Sequence, residues 1–415
     1  MSNNNLVKLN KGYKFRILPT NSQIEYFEKA FGCNRKLYNY YVNELYIQLD
    51  KVSFSDGKID TKTISFSKPS AIKKLFPFMK EIDSLTFCNT QINFNNAIKK
   101  YNNEYAFKKQ YTKSSLKREK TLGIAKTYKN LKGMPTFKSK KFAKQSFTTN
   151  NQSTSKGQTI TVNDNYISIP KLKTPIKFIK HRQLPHNSII KNVTISKDAR
   201  GKYYISICVE YYKTIQQVDK SDINIFNSVG LDYSLSNFYH TSMDKIANYP
   251  KYYRLMESKL KKEQQKLSKK IYKSNRWLKQ KLKVSKLQEK VANQRLDYLH
   301  KLSFELAEKY DAVFVEDINL RSMAQQLKFA KSSNDNGFGM FRTFLEYKLK
   351  ERGKYFIKID KKYPSSKTCS ICGNKKDSLL LSERVYECDC CKVSINRDYN
   401  AAINIQNEGL RLLIA

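Results

Sequence analysis

Two Cys-x-x-Cys pairs near the C-terminal end, Cys369/Cys372 and Cys388/Cys391, constrain this 415-residue chain more than any other feature. Each pair can wrap one side of a small ion. The 15 residues between the pairs let four thiolates close a tetrahedron around Zn²⁺. A disulfide framework is the competing reading, but no export signal is visible, and in a reducing compartment paired thiols point to metal. Cys390 could stand in for a neighbour, yet only Cys388 and Cys391 have the two-residue gap of a knuckle. A ribbon this small cannot bury a core, so its zinc is expected to be structural. The isolated Cys33, Cys88 and Cys208 read as core residues.

Charge narrows the partner. Lys and Arg number 78 against 36 Asp and Glu, a formal net charge of +42 that would repel itself unless a polyanion shared the surface. No run of about 18 apolar residues is present, so a membrane partner is not expected and nucleic acid is. Aromatics make up 13% of the chain, and Tyr38, Tyr40, Tyr41, Tyr46, Tyr101, Tyr105 and Tyr111 lie among lysines or other tyrosines. They could stack on bases, or simply cover helix surfaces.

Periodicity divides the chain. Tyr13 to Pro19 alternates apolar and charged residues as a half-buried strand does. Ile24, Phe27, Phe31, Leu37, Tyr41 and Leu45 then recur at helical spacing, with Thr20, Asn21 or Ser22 available as the cap. Helices are expected to about Lys132. From Met134 to Lys213 the period returns to two, which predicts a compact antiparallel sheet or barrel that the lone N-terminal strand completes. Charged residues with spaced leucines from Tyr252 to Tyr310, broken at Ser274-Asn275, predict a hairpin of long helices. Short apolar runs at 312–316 and 355–360, around a helical stretch at 337–351, indicate an α/β domain.

Three acids stand at suggestive places: Asp232 after Val229-Gly-Leu, Glu316 at the end of Val313-Phe-Val, and Asp398 before Tyr-Asn-Ala-Ala. Phosphodiester cleavage needs an acidified water and a neutralised leaving oxygen. Two Mg²⁺ ions about 3.5–4 Å apart supply both, and such hard cations want carboxylate oxygens. Singly, each acid reads as a strand-end or capping group; together they suggest one metal-binding centre. His181, His186, His240 and His300 have no partner at ligand spacing.

The motifs carrying these acids resemble those of the TnpB family. They are Gly230-Leu-Asp-Tyr-Ser-Leu, Lys290 to Ser303, Val315-Glu-Asp-Ile-Asn-Leu, Tyr363-Pro-Ser-Ser-Lys-Thr-Cys-Ser-Ile-Cys-Gly and Asp398-Tyr-Asn-Ala-Ala-Ile-Asn-Ile. Phe15-Arg-Ile-Leu-Pro through Cys33-Asn-Arg-Lys-Leu-Tyr-Asn is similar to that family's opening. The resemblance implies an α/β multidomain chain: an OB-like β-barrel wedge (1–20 and 133–222) with an inserted helical recognition domain (21–132), then an RNase H-like RuvC domain (223–361 and 395–415) with an inserted zinc ribbon (362–394). It also implies a monomeric, cytoplasmic bacterial endonuclease of a mobile element, with a guide RNA and target double-stranded DNA as partners. On this reading Asp232, Glu316 and Asp398 hold two Mg²⁺ ions, and Cys369, Cys372, Cys388 and Cys391 hold Zn²⁺. The alternatives are a transposase proper and an RNA-guided DNA-binding regulator that does not cut. One departure from the family is Asn396, where another Asp is usual; metal preference or rate could differ for it.

Overall fold

The computed structural model describes residues 4–51, 57–60, 62–108, 110–123, 127–140, 145–155, 157–234, 236–318, 335–380 and 382–414. Leu235 and the Asn319-Leu320 end of the Val315 motif lie outside them. The chain is α/β and multidomain, dividing into two compact units, Lys8–Tyr211 and Met1–Val7 with Tyr212–Ala415.

In the first unit, strand β1 (Asn4–Leu18) buries Tyr13, Phe15 and Ile17 and exposes Lys14, Arg16 and Leu18, the period of two that its sequence shows. Helix α1 (Asn21–Lys51) follows. Thr20 is its cap, because the Gln23 backbone N–H donates to Thr20 Oγ1 at 3.4 Å and the Thr20 N–H donates to Gln23 Oε1 at 3.1 Å, a reciprocal capping box. Helices α2 (Pro69–Leu75), α3 (Ser84–Glu104) and α4 (Lys113–Leu122) complete the helical stretch. Seven strands form one sheet in the order β2-β8-β9-β1-β7-β6-β5: β2 (Gln145–Asn150), β5 (Thr161–Asn163), β6 (Tyr166–Ser168), β7 (Ile176–Ile179), β8 (Ile189–Lys197) and β9 (Tyr203–Gln216) around β1. Strands β3 (Ser153–Thr154) and β4 (Gly157–Gln158) make a separate small ladder. The N-terminal strand thus joins the later strands, pairing with β7 through Arg16↔Ile179. Among the described residues the sheet is open, with β2 and β5 as its edges. Three-residue β5 offers too few ladder bonds to curl round to β2.

Two expectations change here. Tyr38, Tyr41, Tyr46 and Tyr101 are buried in this unit's core and Tyr40, Tyr105 and Tyr111 pack against it, so this tyrosine-rich set fills a core rather than waiting for bases. Cys88 is exposed instead of buried, because its neighbours Phe87, Phe94 and Ile98 take the inward positions of α3.

The second unit is built on a five-stranded sheet in the order β12-β11-β10-β13-β14. Strands β10 (Ser228–Tyr233), β13 (Ala312–Glu316) and β14 (Tyr355–Ile359) run parallel, while β11 (Tyr239–Thr241) and β12 (Ile246–Ala247) continue from β10 antiparallel. Helix α5 (Tyr252–Ser268) and helix α6 (Asn275–Lys309) form the expected hairpin. Ser274 Oγ caps the second arm by accepting from the Trp277 N–H at 3.1 Å, and Gln280 Nε2 donates to the Glu263 carbonyl at 3.0 Å between the arms. Alternate residues of the central strands face opposite cores. Val229, Leu231, Val313 and Val315 pack with residues of α6 and of α7 (Phe338–Lys350), whereas Ala312 and Phe314 pack with Ile405 and Leu413 of α8 (Arg397–Ile414). A strand covered on both sides reads as continuously apolar, as Ala312 to Val315 does.

Gly230 lets α8 approach. A Cβ there would stand 2.2 Å from the Ala402 carbonyl oxygen and 2.6 Å from the Gln406 nitrogen, both backbone atoms of α8. Gly230→Ala is therefore expected to cost about 1–3 kcal/mol and lower the melting temperature of the full chain, while Gly12→Ala, with nothing within 4 Å, serves as the mild control. Equal melting temperatures for the two variants would show that α8 is not pinned at Gly230.

Candidate functional site

The parity that sorts the core also aims the acids. Leu231 pairs with Val315 across the parallel β10–β13 ladder, so Asp232 and Glu316 come next at the same end of adjacent strands. Asp232 lies two positions beyond Gly230 and Glu316 two beyond Phe314, on the face that α8 covers. Asp398 is in the first turn of α8, one helical turn before the Ala402 that meets Gly230. Asn396 accepts hydrogen bonds from the backbone N–H groups of Asp398 at 3.0 Å and Tyr399 at 3.1 Å, so the residue that departs from the family pattern caps the helix carrying the third acid.

Asp232 feels the other two carboxylates. Burial first, then the charges of Glu316 and Asp398, push Asp232 well above the usual carboxylate range, against the opposing effect of Arg397. Burial also raises Glu316, offset by the hydrogen bond that Ser365 Oγ donates to Glu316 Oε1. All three acids are half-buried. Placing Asp232 beside two further carboxylates is costly without a counter-charge, which Arg397 supplies in part. The sequence reading overlooked Ser365, Asn400 and Asn404 beside them. Asn404 Nδ2 donates to the carbonyls of Ser365 at 2.8 Å and Thr368 at 2.6 Å; Asn400 Nδ2 donates to the Thr368 carbonyl at 2.7 Å, and Asn400 Oδ1 accepts from the Ser370 N–H at 2.9 Å. Two asparagines four apart on one helix face were the available signal.

Cys369, Cys372, Cys388 and Cys391 converge, their sulfurs all within 4.8 Å of one another. Cys369 and Cys391 are 3.6 Å apart and Cys372 and Cys388 3.5 Å, near the roughly 3.8 Å edge of a ZnS₄ tetrahedron with Zn–S of about 2.3 Å. The Cys391 backbone N–H favours the Cys388 thiolate and holds its pKa down at about 6. The cluster lies beside the ladder of β15 (Val385–Glu387) and β16 (Ser394–Asn396), over the buried Tyr386. Cys390 is exposed and outside the cluster. A tetrahedral thiolate-binding ion fits this set, and the hard, all-oxygen set of the three acids suits Mg²⁺-like cations.

Three family models match the chain in order: "Helix-turn-helix domain" over residues 9–46, "Probable transposase" over 206–327 and "Cas12f1-like, TNB domain" over 338–405. The first segment folds here as a strand and one long helix. The second contains Asp232 and Glu316, and the third the four cysteines and Asp398. A Streptomyces pristinaespiralis protein provisionally named RNA-guided DNA endonuclease is 26% identical, the alignment covering 97% of this chain and 90% of that one. TnpB-like protein L79 of Acanthamoeba polyphaga mimivirus is 28% identical over 55% of this chain and 45% of its own. Among solved structures, a chain from a Cas12f1–sgRNA–target DNA complex superposes with a TM-score of 0.49 at 15% identity, covering 96% of this chain and 99% of that one. These segments in this order, and a relative matched along nearly its whole length, make the chain similar to the TnpB-like proteins and the proteins provisionally named RNA-guided DNA endonucleases.

Proposed function

We propose that this protein is an RNA-guided DNA endonuclease of a mobile element, with Asp232, Glu316 and Asp398 as the metal-binding acids of a RuvC-like centre. The observation that carries the proposal is the meeting of three carboxylates from distant chain positions at one end of β10, β13 and α8, where the repulsion between them calls for cations. The strand order β12-β11-β10-β13-β14, with its three parallel members, supports an RNase H-like reading of residues 223–361 and 395–415. The open sheet supports an OB-like wedge over 1–20 and 133–222, and the helices between them a recognition domain. Two Mg²⁺ ions held by the three acids would acidify the attacking water and neutralise the leaving oxygen. The chain's own part is to hold the carboxylates on a rigid sheet end, to bind phosphates with its excess of lysines, and to leave sequence choice to base pairing after it reads a short motif beside the target. The Cys369–Cys391 ribbon would hold Zn²⁺ and contact nucleic acid.

The test is to purify the protein with its bound RNA, sequence that RNA, and offer a duplex matching it with and without Mg²⁺. Guide-dependent, Mg²⁺-dependent cutting is expected. Binding without cutting would identify a regulator, and joined DNA ends a transposase.

A further inference from the structure

We propose that Ser365 is a positioning residue for Glu316, and that the root of the cysteine ribbon, residues 365–370, fixes Glu316 relative to Asp398. The inference rests on the reading of these acids as metal ligands. A glutamate at a strand end has side-chain torsions that the ladder does not fix, so β13 alone cannot decide where its oxygens point. Ser365, 3% exposed, donates its hydroxyl hydrogen to Oε1 and leaves Oε2 free to ligate. The serine is itself held from the other side, because Asn404 grips the Ser365 and Thr368 carbonyls while Asn400 takes the Thr368 carbonyl and the Ser370 N–H. Both asparagines are buried, at 0% and 3% exposure, on the helix whose first turn carries Asp398. A chain of contacts therefore runs from Glu316 through Ser365 and the asparagines to the helix whose first turn carries Asp398, in addition to the packing of that helix on the sheet. Cys369 stands in the middle of the gripped segment, so the ribbon is rooted in the site rather than merely attached near it.

Hydrogen-bond partners of metal ligands typically contribute 10–100-fold in metal affinity. The experiment titrates Mn²⁺ into the RNA-free full chain by electron paramagnetic resonance and subtracts the same titration of Asp232→Ala, so that only ions at the acids are counted. Ser365→Ala is expected to weaken that binding by roughly 10–100-fold, with melting temperature and zinc content unchanged, and Ser365→Thr, which keeps the hydroxyl, to restore it. Ser365→Cys, near in size but a weak donor, should behave as Ser365→Ala and excludes a cavity effect. Unaltered Mn²⁺ affinity in Ser365→Ala and Ser365→Cys would overturn the inference while leaving the acids as ligands, as would a loss that Ser365→Thr shares. Absence of any Asp232-dependent Mn²⁺ binding in the unmodified chain would overturn the inference together with the metal-binding role of the acids.

Discussion

Asp232→Ala should leave the chain folded and able to retain guide RNA and matched duplex, while slowing cleavage by at least about 10³-fold. Metal ions stabilise several kcal/mol of charge in such a transition state, and about 4 kcal/mol corresponds to about 10³ in rate. The carboxylate that is lost sits between the other two in effect, since both Glu316 and Asp398 act on it. Asp232→Asn makes the argument sharper. Asp232 is held above the ordinary carboxylate range, so between its unfolded and folded pKa values the native state binds more protons than the unfolded state, and stability falls as pH rises through that window. A neutral isostere removes this burden, and Asp232→Asn should melt no lower than the metal-free parent at neutral pH while failing to cut. Cutting at the parent's rate, measured on a guide-matched duplex with saturating Mg²⁺, would remove Asp232 from the chemistry.

Stripping zinc should unfold the ribbon. Structural zinc sites in small peptides are worth about 10–16 kcal/mol at neutral pH, and the ribbon's own apolar core is little more than Tyr386 with Leu379, Val393 and Ile395 around it. In the metal-replete chain Cys369, Cys372, Cys388 and Cys391 should resist alkylation, while the exposed Cys88 and Cys390 react as internal standards. After chelation all four should become reactive. The melting of the Lys8–Tyr211 unit, which has its own core, should be unmoved. Mass spectrometry of the alkylated peptides reads both states; equal reactivity of Cys391 and Cys390 before chelation would show that no metal holds the cluster.

Much of this was legible in the sequence because it is set by short-range pattern. The alternation at Tyr13 to Ile17, the break at Ser274 and the apolar run of Ala312 to Val315 each announce an element through its period, and the two-residue gaps identify the four cysteines. What escaped depended on which side of an element a residue occupies in three dimensions. The clustered tyrosines could be read as stacking on bases or as covering helix surfaces, yet their spacing on α1 and α3 turns most of them inward. Cys88 looked apolar enough for a core, but larger neighbours took the inward places. Ser365 has no pattern of its own, and the four-residue spacing of Asn400 and Asn404 marks a shared helix face without saying what it meets. Their meaning comes from contacts between segments separated by the whole ribbon.

Because backbone pairing between β10 and β13 sets the spacing of Asp232 and Glu316, the long stretch joining them carries no metric information. The outer part of the helical hairpin, away from Leu299, Leu306 and Ala307 that pack under the sheet, could grow or shrink without displacing either acid. That outer part is thus the place where a chain of this kind can acquire new contacts and still keep its cutting geometry.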